Sequence, residues 1–252
     1  MAGDGFGEKS MTRILLGTSL MDATLGQVIH VTGDELHYLK NVRRHVAGDE
    51  VVVFDHEGSG FEARVTAIDS AKAVLELTRQ VSDMTEPTDV HILTAVPKEK
   101  ILDDVVRKLS ELGVARMTPL LCERSSVVPG EQRVERWRRI AEQSMRQCRR
   151  RRVLQIDDAI MFSEAMGAVT AECRFVLHPS GEMAGGTLLG ERMNGGIALL
   201  IGPEGGFSDG ELAQSTEHMF KSIRLGGTIL RMETAILVAA VAGIAMLGGY
   251  DR

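Results

Sequence analysis

The stretch that decides the fold of the second half of the chain is Leu199-Leu200-Ile201-Gly202-Pro203-Glu204-Gly205-Gly206-Phe207-Ser208. Its apolar start predicts a buried strand, and Ser208 with Glu211 has the Ser-x-x-Glu spacing that opens a capped helix. The glycines between them let the backbone approach a ligand closely, and the proline stiffens the turn. Because ligands of open α/β sheets bind at the carboxyl ends of strands, the turn predicts a ligand-binding loop. A plain strand–helix connector is the alternative.

The residue types in this turn exclude two common nucleotide-binding motifs. The turn has no Gly-Lys-Ser/Thr sequence, so it is not a P-loop. It also lacks the Gly-x-Gly-x-x-Gly spacing of dinucleotide folds and of the common class of methyltransferases. The residues alone therefore predict a ligand loop without identifying the ligand.

A second glycine-bearing stretch follows at Leu225-Gly226-Gly227-Thr228-Ile229-Leu230-Arg231-Met232-Glu233-Thr234-Ala235. It leads into a very apolar helix, and helix N-termini present free N–H groups. Charged groups beside an apolar element need a partner or a task, so Arg231 and Glu233 are candidates for chemistry. The alternative is a structural Arg231–Glu233 ion pair, with Thr234 as a capping residue.

Outward from these loops, the sequence predicts two domains. Residues 1–81 contain short alternating strands, such as 51–54 and 61–65, joined by glycine-rich turns, which predicts a small β-barrel. Residues 82–89 are polar and include a proline, which is typical of a linker. Residues 90–252 alternate apolar strands with amphipathic helices, which predicts an α/β domain with a largely parallel sheet.

The predicted elements of the second domain follow from hydrophobic spacing. Gly113 is expected to end the first helix as its C′ residue. The predicted strands are 91–96, 115–121, 174–177 and 197–201, and the predicted helices are 101–112, 132–149 and 233–247, with a further capped helix after Ser208.

Bulk composition is that of an average globular protein in a reducing compartment. The 252 residues are 44% hydrophobic and 25% charged, which allows a sizeable core. The three cysteines and seven histidines are scattered, so we expect neither disulfides nor a metal, and a cytoplasmic location. The N-terminus lacks the apolar core of a signal peptide, and the apolar run 235–247 is too short to cross a bilayer, so no membrane partner is expected.

Positive charge is concentrated in one segment. The formal net charge is −6, yet residues 133–152 hold nine arginines against two acidic residues. The planar guanidinium binds phosphate bidentately, so this excess predicts a polyanion-binding surface, with a solvated helix face as the alternative. The arginines predicted to contact RNA are Arg43, Arg44, Arg146, Arg149, Arg150, Arg151 and Arg152.

Taken in order, these segments resemble the ribosomal RNA small subunit methyltransferase E family, which methylates N3 of a uridine in 16S rRNA. Residues 200–208 resemble its first cofactor motif and residues 225–235 its second. Upstream matches in order and spacing are Val96-Pro97-Lys98, Glu111-Leu112-Gly113, Glu123-Arg124-Ser125 and Gln147-Cys148. The sequence departs from the family at Val42-Arg43-Arg44 and at Arg146-Gln147-Cys148-Arg149-Arg150, where extra arginines alter the RNA-facing segments.

The resemblance implies a fold of the SPOUT class. In that fold a parallel-sheet domain ties a trefoil knot, and the two motif loops form the part of the knot that binds S-adenosylmethionine (SAM). It also implies a PUA-like, RNA-binding β-barrel before that domain. The implied partners are the 16S rRNA of the small ribosomal subunit and a second copy of the chain, packed through the apolar C-terminal helix.

Carried onto this sequence, the resemblance implies roles for particular residues. Arg231 would stabilise negative charge developing on the uracil, and Glu233 would orient Arg231 or the sulfonium; no residue is identified as the acceptor of the N3 proton. Residues in and around the motif loops are expected to bind SAM: Leu177, His178, Leu200, Ile201, Gly202, Glu204, Gly205, Leu225, Gly226, Ile229, Leu230, Arg231, Glu233, Thr234 and Ala235.

Two other functions are compatible with the residues. One is a SPOUT methyltransferase that acts on tRNA or on a ribose 2′-hydroxyl. The other is a non-catalytic RNA-binding factor of ribosome assembly, for which the barrel and the arginine run would suffice. Saturable binding of SAM distinguishes an enzyme from such a factor.

Overall fold

The computed structural model describes residues 11–81, 88–97, 101–148, 150, 152–183 and 192–249. The chain divides into two compact units, Met1–Thr85 and Glu86–Arg252. This boundary lies within the linker predicted at 82–89, of which residues 82–87 fall outside the described residues. The first strand of the second unit begins at Thr88, inside the predicted linker.

The first unit contains one five-stranded sheet in the order β1-β3-β4-β5-β2. Strand β1 runs parallel to β3, and the other neighbouring pairs are antiparallel. The predicted strands 51–54 and 61–65 are confirmed within β3 and β4. The strands are β1 (Thr12–Leu15), β2 (Val28–Val31), β3 (Glu50–Phe54), β4 (Gly60–Ile68) and β5 (Ala73–Gln80).

A helical segment covers the core of this sheet. Helix α1 (Gly33–His37) continues into a π-helical turn at Tyr38–Val42. Their buried side chains, Leu36 and Leu39, join the apolar cluster formed by alternate residues of β3, β4 and β5. The first unit therefore has a hydrophobic core of its own, as the period-two pattern of its strands requires.

A buried carboxylate organises the turn between β3 and β4. Asp55 is 1% exposed. Its Oδ1 accepts hydrogen bonds from the N–H groups of Glu57 (3.0 Å), Gly58 (2.7 Å) and Ser59 (2.8 Å). Its Oδ2 accepts one from the N–H of Leu20 at 2.7 Å, which ties a distant loop to the turn. Buried N–H groups need such acceptors, so this side chain holds two segments together.

The second unit contains a parallel sheet of seven strands in the order β12-β10-β11-β6-β7-β8, with β9 also paired to β7. Every pairing in it is parallel. The strands are β6 (Thr88–Ala95), β7 (Val114–Leu121), β8 (Gln155–Ile156), β9 (Ile160–Met161), β10 (Cys173–Met183), β11 (Ile197–Ile201) and β12 (Lys221–Arg224). The helices are α2 (Ile101–Leu112), α3 (Glu131–Cys148), α4 (Phe162–Ala168), α5 (Asp209–Glu217) and α6 (Met232–Met246).

The predicted α/β class and parallel sheet are confirmed, as are the predicted strands and helices to within a few residues at their ends. Gly113 follows α2 in the left-handed region, at φ +97°, and its N–H bonds the carbonyl of Leu109 at 3.2 Å, as expected of a C′ residue. Strand β10 is longer than the predicted 174–177, because it continues past an irregularity after Leu177. The trefoil knot stays a prediction.

The core of the second unit lies where α6 crosses the middle of the sheet. All five residues of β11 are buried, and α6 packs on β11 and on β6. A Cβ at Gly243 would lie 3.0 Å from the Leu199 side chain, so the absence of a side chain allows this close crossing. In the part of the chain that is described, no helix combines the length and apolarity needed to cross a membrane.

We expect Asp55→Ala to destabilise the first unit by about 3 kcal/mol, because it leaves several buried N–H groups without an acceptor. Asp69→Ala is the matched control, since Asp69 accepts two turn N–H bonds in an exposed position. That control should destabilise the unit much less than Asp55→Ala, because the exposed turn N–H groups can bond water instead. Urea unfolding followed by circular dichroism measures both, and equal losses would show that burial of Asp55 has no special weight.

Candidate functional site

Three neighbouring parallel strands end at one cavity in the second unit. Strands β12, β10 and β11 are adjacent, and a cavity of about 450 Å³ lies at their carboxyl ends. Its walls come from the ends of these strands, from the loops after β11 and β12, and from the start of α6. The residues around it are Arg124, Leu177, His178, Pro179, Ile201, Gly202, Pro203, Glu204, Gly205, Gly206, Phe207, Ile223, Arg224, Leu225, Gly226, Gly227, Thr228, Ile229, Leu230, Met232 and Ala235.

The first motif loop (residues 202–208) is a tight turn built on glycine. The N–H of Gly206, at φ +70°, donates to the carbonyl of Pro203 at 2.8 Å and closes the turn. A Cβ at Gly202 would lie 3.1 Å from the ring of Phe207. The buried Phe207 ring therefore packs directly on the backbone of Gly202, which leaves the other side of the loop facing the cavity.

A buried glutamate fixes this loop from behind. Ser208 and Glu211 form the predicted capping box: the Glu211 N–H donates to Ser208 Oγ at 3.3 Å, and Glu211 Oε2 accepts from the Ser208 N–H at 2.9 Å. Glu211 Oε1 also accepts from the N–H of Glu123 at 2.8 Å. One carboxylate, only 8% exposed, thus joins the cap of α5 to the segment that follows β7.

An arginine joins the same two segments on the cavity side. Nη1 of Arg124 donates to the carbonyls of Gly205 (3.1 Å) and Phe207 (3.0 Å). Sequence reasoning gave Arg124 no role, although it lies in the matched Glu123-Arg124-Ser125 segment.

Nearby, burial and the charge of Glu211 raise the pKa of Cys122 to about 12, so this thiol is protonated and unreactive near neutral pH.

The second motif loop (residues 225–230) has open space around its glycines, whereas the first motif loop is closed by hydrogen bonds. Gly226 has φ +153°, and a Cβ there or at Gly227 would meet no atom within 4 Å. Ile229 is 90% exposed although it borders the cavity. This loop ends at Arg231, the N-cap residue of α6.

The two predicted catalytic residues lie just beyond the cavity wall. Arg231 is exposed, and Glu233 is half-buried in the first turn of α6. Among the described residues, no ion pair or hydrogen bond holds either side chain, so the structural Arg231–Glu233 pair is not formed. Thr234 is exposed and does not cap the helix. Both charged groups are therefore available to a ligand or substrate.

Most of the residues predicted to bind the cofactor surround the cavity, namely Leu177, His178, Ile201, Gly202, Glu204, Gly205, Leu225, Gly226, Ile229, Leu230 and Ala235. Leu200, Arg231, Glu233 and Thr234 do not. For Leu200 this is a correction, because its side chain is fully buried in the core between the sheet and its helices. The structure therefore brings together strand ends and loops separated by almost sixty residues of sequence.

The arginine run is largely used inside the protein. Arg150 is 3% exposed and donates to the carbonyls of Ser110 (3.1 Å) and Val114 (2.6 Å) at the end of α2. Burial lowers its pKa to about 10. The prediction that Arg150 contacts RNA is wrong, because this guanidinium caps a helix C-terminus in the interior.

Other arginines of α3 also have internal partners. Arg133 lies 5.3 Å from the centre of the Trp137 ring, Arg136 pairs with Asp103 at 2.6 Å, and Arg138 pairs with Asp158 at 3.0 Å. The excess charge of the run is thus partly neutralised.

The remaining predicted RNA contacts differ in their surroundings. Arg43 donates to Thr12 Oγ1 at 3.0 Å, and Arg44 is exposed in the left-handed region, at φ +58°. Arg146 is half-buried and Arg152 is exposed. Arg149 and Arg151 lie outside the described residues.

A second, smaller cavity of about 160 Å³ contains a closed polar network. His91 Nε2 bonds Thr118 Oγ1 at 2.7 Å, and Arg116 Nε donates to Asp157 at 2.7 Å. Burial and the charge of Arg116 lower the pKa of His91 to about 4, so the ring is neutral near pH 7. No cluster of three metal-ligating side chains occurs within the described ranges.

We expect Glu211→Ala to destabilise the protein by about 2 kcal/mol, because the N–H groups of Ser208 and Glu123 both lose an acceptor. Ser208→Ala is the matched control: it removes the reciprocal cap bond alone and should cost about 1 kcal/mol. Denaturant unfolding compares the two variants. A smaller loss for Glu211→Ala than for Ser208→Ala would show that the Glu123 contact contributes nothing.

Comparison with known proteins agrees with this geometry. The model of an RNA methyltransferase domain matches residues 84–243, and that of an RNA methyltransferase PUA domain matches residues 31–78. The ribosomal RNA small subunit methyltransferase E of Synechocystis sp. is 30% identical over 240 residues, covering 92% of this chain and 78% of that protein. The protein of the same name from Bacillus subtilis is 29% identical, and the match covers 84% of this chain and 88% of the Bacillus subtilis protein.

A solved structure shows the same fold over most of the chain. The Neisseria gonorrhoeae ribosomal RNA small subunit methyltransferase E, crystallised with bound S-adenosyl methionine, superposes with a TM-score of 0.83 at 27% identity, covering 94% of this chain and 98% of its own. The parallel sheet, the glycine-bearing loops at its carboxyl edge and these matches lead to one assignment. The chain belongs to the ribosomal RNA small subunit methyltransferase E family.

Proposed function

We propose that this protein transfers the methyl group of SAM to N3 of one uridine in the 16S rRNA of the small ribosomal subunit. The observation that carries the proposal is that residues 202–207 and 225–230 line the same cavity, together with the end of β10. The relatives named above support the rRNA substrate over tRNA or a ribose hydroxyl. The same proposal places the protein in the cytoplasm, with the ribosome.

The cavity fits SAM in size and in chemistry. About 450 Å³ lies within the range of small-molecule sites, which are mainly apolar with a few placed polar groups. Here the apolar contacts come from Leu177, Leu225 and Leu230, and Gly202 contributes backbone without a side chain to the cavity wall. The hydrogen bonds of the buried Glu211 and of the exposed Arg124 hold that backbone in place before any ligand arrives.

Bound SAM would supply an electrophilic methyl group for in-line displacement, so the contribution of the protein is to position the uracil and manage its charge. Loss of the N3 proton leaves negative charge on the base. Arg231 is exposed beside the cavity and has no partner among the described residues, and we assign it to stabilise that charge. Glu233, in the first turn of α6, would orient Arg231 or face the sulfonium.

We further propose that the protein works as a homodimer packed through α6. This helix is apolar on all its faces, and the faces not covered by the sheet still carry large apolar side chains. Val238 and Val241 are 37% and 41% exposed. An apolar face of this kind is typical of an obligate dimer interface.

The RNA-binding surface remains a proposal with a reduced set of residues. We assign RNA contacts in the first unit to Arg43 and Arg44, and separate RNA contacts in the second unit to Arg146, Arg149, Arg151 and Arg152. An RNA methyltransferase PUA match over residues 31–78 supports the part played by the first two.

The proposed function is tested by mapping modified nucleotides in 16S rRNA from cells with and without this protein. We expect one N3-methyluridine to disappear without the protein and to return when the purified chain is incubated with small subunits and SAM. An unchanged 16S rRNA together with a lost methyl group in tRNA would favour the alternative substrate. Retention of every methylated nucleotide would contradict the proposal.

We expect Arg231→Ala to lower kcat by about 100-fold or more while the Kd for SAM changes by about threefold or less, because the charge develops mainly in the transition state. Arg231→Lys keeps the positive charge but loses the planar guanidinium, so its kcat should lie between those of Arg231→Ala and the unaltered protein. Methyl-transfer kinetics and calorimetry with SAM measure the two effects. Equal turnover in the variant and the unaltered protein would refute the assignment.

We expect Gly202→Ala to weaken SAM binding by about tenfold, because the added Cβ meets the Phe207 ring and shifts the loop. Gly210→Ala is the matched control, since its Cβ meets only Ser208 Oγ at an ordinary 3.8 Å. Calorimetry should show near-normal SAM affinity for the control. If both variants weakened SAM binding equally, the effect would not depend on the contact between Gly202 and Phe207.

A further inference from the structure

The cavity contains two charged side chains that no described residue neutralises. Its charged lining residues are Arg124, Glu204 and Arg224. Arg124 is committed to the carbonyls of Gly205 and Phe207. Glu204 and Arg224 are both exposed, and across the described ranges neither side chain has a hydrogen bond or an ion pair. One free anion and one free cation therefore face the same space.

The fold keeps these two charges apart. Glu204 lies in the loop after β11, and Arg224 is the last residue of β12, with β10 between the two strands. Neighbouring strands are spaced by about 4.8 Å, so β11 and β12 are about 10 Å apart. Within the described residues the side chains of Glu204 and Arg224 form no ion pair with each other, although both border the cavity. A ligand that satisfies both must carry opposite charges close together.

We propose that Glu204 and Arg224 bind the amino-acid end of the methyl donor, Glu204 its α-ammonium and Arg224 its α-carboxylate. This inference rests on the proposed function, because it takes SAM as the ligand. Arginine binds a carboxylate through two parallel hydrogen bonds, and a carboxylate is the natural partner of an ammonium. The apolar part of the cavity is then left to the adenosine.

A backbone phosphate of RNA is the rival ligand for Arg224. It would explain the free guanidinium but not the free carboxylate, because Glu204 on the same cavity would repel a phosphate. A zwitterion satisfies both groups at once. Both side chains lie near water, so each contact is weakened by competition with solvent, and the effects of removal are moderate.

Ligand truncation tests the assignment. S-adenosylhomocysteine has the same amino-acid end as SAM, whereas 5′-methylthioadenosine keeps the adenosine and the thioether but lacks that end. In calorimetry on the full chain, Arg224→Ala should weaken binding of S-adenosylhomocysteine by about tenfold and Glu204→Gln by about threefold. Neither variant should change the affinity for 5′-methylthioadenosine by more than about twofold, and Arg224→Lys should recover part of the loss.

Matched controls remove the same charges elsewhere. Arg107→Ala removes an exposed arginine paired with Asp104 on α2, and Glu217→Gln removes an exposed carboxylate at the end of α5. Both should leave the affinities for the two ligands unchanged.

Three results would overturn the inference. Equal weakening of both ligands would place the effect on the adenosine site or on the fold. Unchanged binding of both ligands would show that the side chains of Glu204 and Arg224 contact only solvent. Weaker binding of an rRNA fragment, with S-adenosylhomocysteine unaffected, would assign Arg224 to phosphate. If the unaltered protein binds neither ligand, the proposed function fails rather than this inference alone.

Discussion

The cavity depends on one buried carboxylate. Glu211 accepts from the N–H groups of Ser208 and Glu123, and so joins the helix cap behind the first motif loop to the segment after β7. Arg124 joins the same segments from the cavity side. The glycines that let a ligand approach the backbone also make that backbone easy to deform. A loop rich in glycine can serve as a preformed binding surface only because these hydrogen bonds restrain it.

The parallel sheet brings the restrained loop together with the other segments that form the site. Strands β10, β11 and β12 are neighbours and point the same way, so the segments that leave them meet at one edge. Crossing of α6 over β6 and β11 then places the start of that helix, with Arg231 and Glu233, at the same edge. The proposed donor site, the proposed catalytic pair and the proposed amino-acid contacts thus share one structural origin.

Burial explains which of the arginines can meet RNA. A charge run in a helix looks like a continuous basic surface in the sequence, but Arg150 caps α2 in the interior, and Arg136 and Arg138 are paired with aspartates. A guanidinium that is buried like that of Arg150 offers little to a phosphate, because its donors are taken by backbone carbonyls.

The sequence by itself determined the α/β class, the strand–helix order, the capping box at Ser208–Glu211 and the two glycine-bearing loops, because these follow from hydrophobic period and local turn chemistry. The two-residue strands β8 and β9, and β12 with its single buried side chain, escaped prediction, because their pairing comes from neighbours distant in sequence. Only the tertiary structure decided that Leu200 faces the core, that Arg150 is internal, and that Arg124, Glu204 and Arg224 share one cavity. Burial and proximity across the sheet depend on how the chain packs, and no local pattern of residues encodes them.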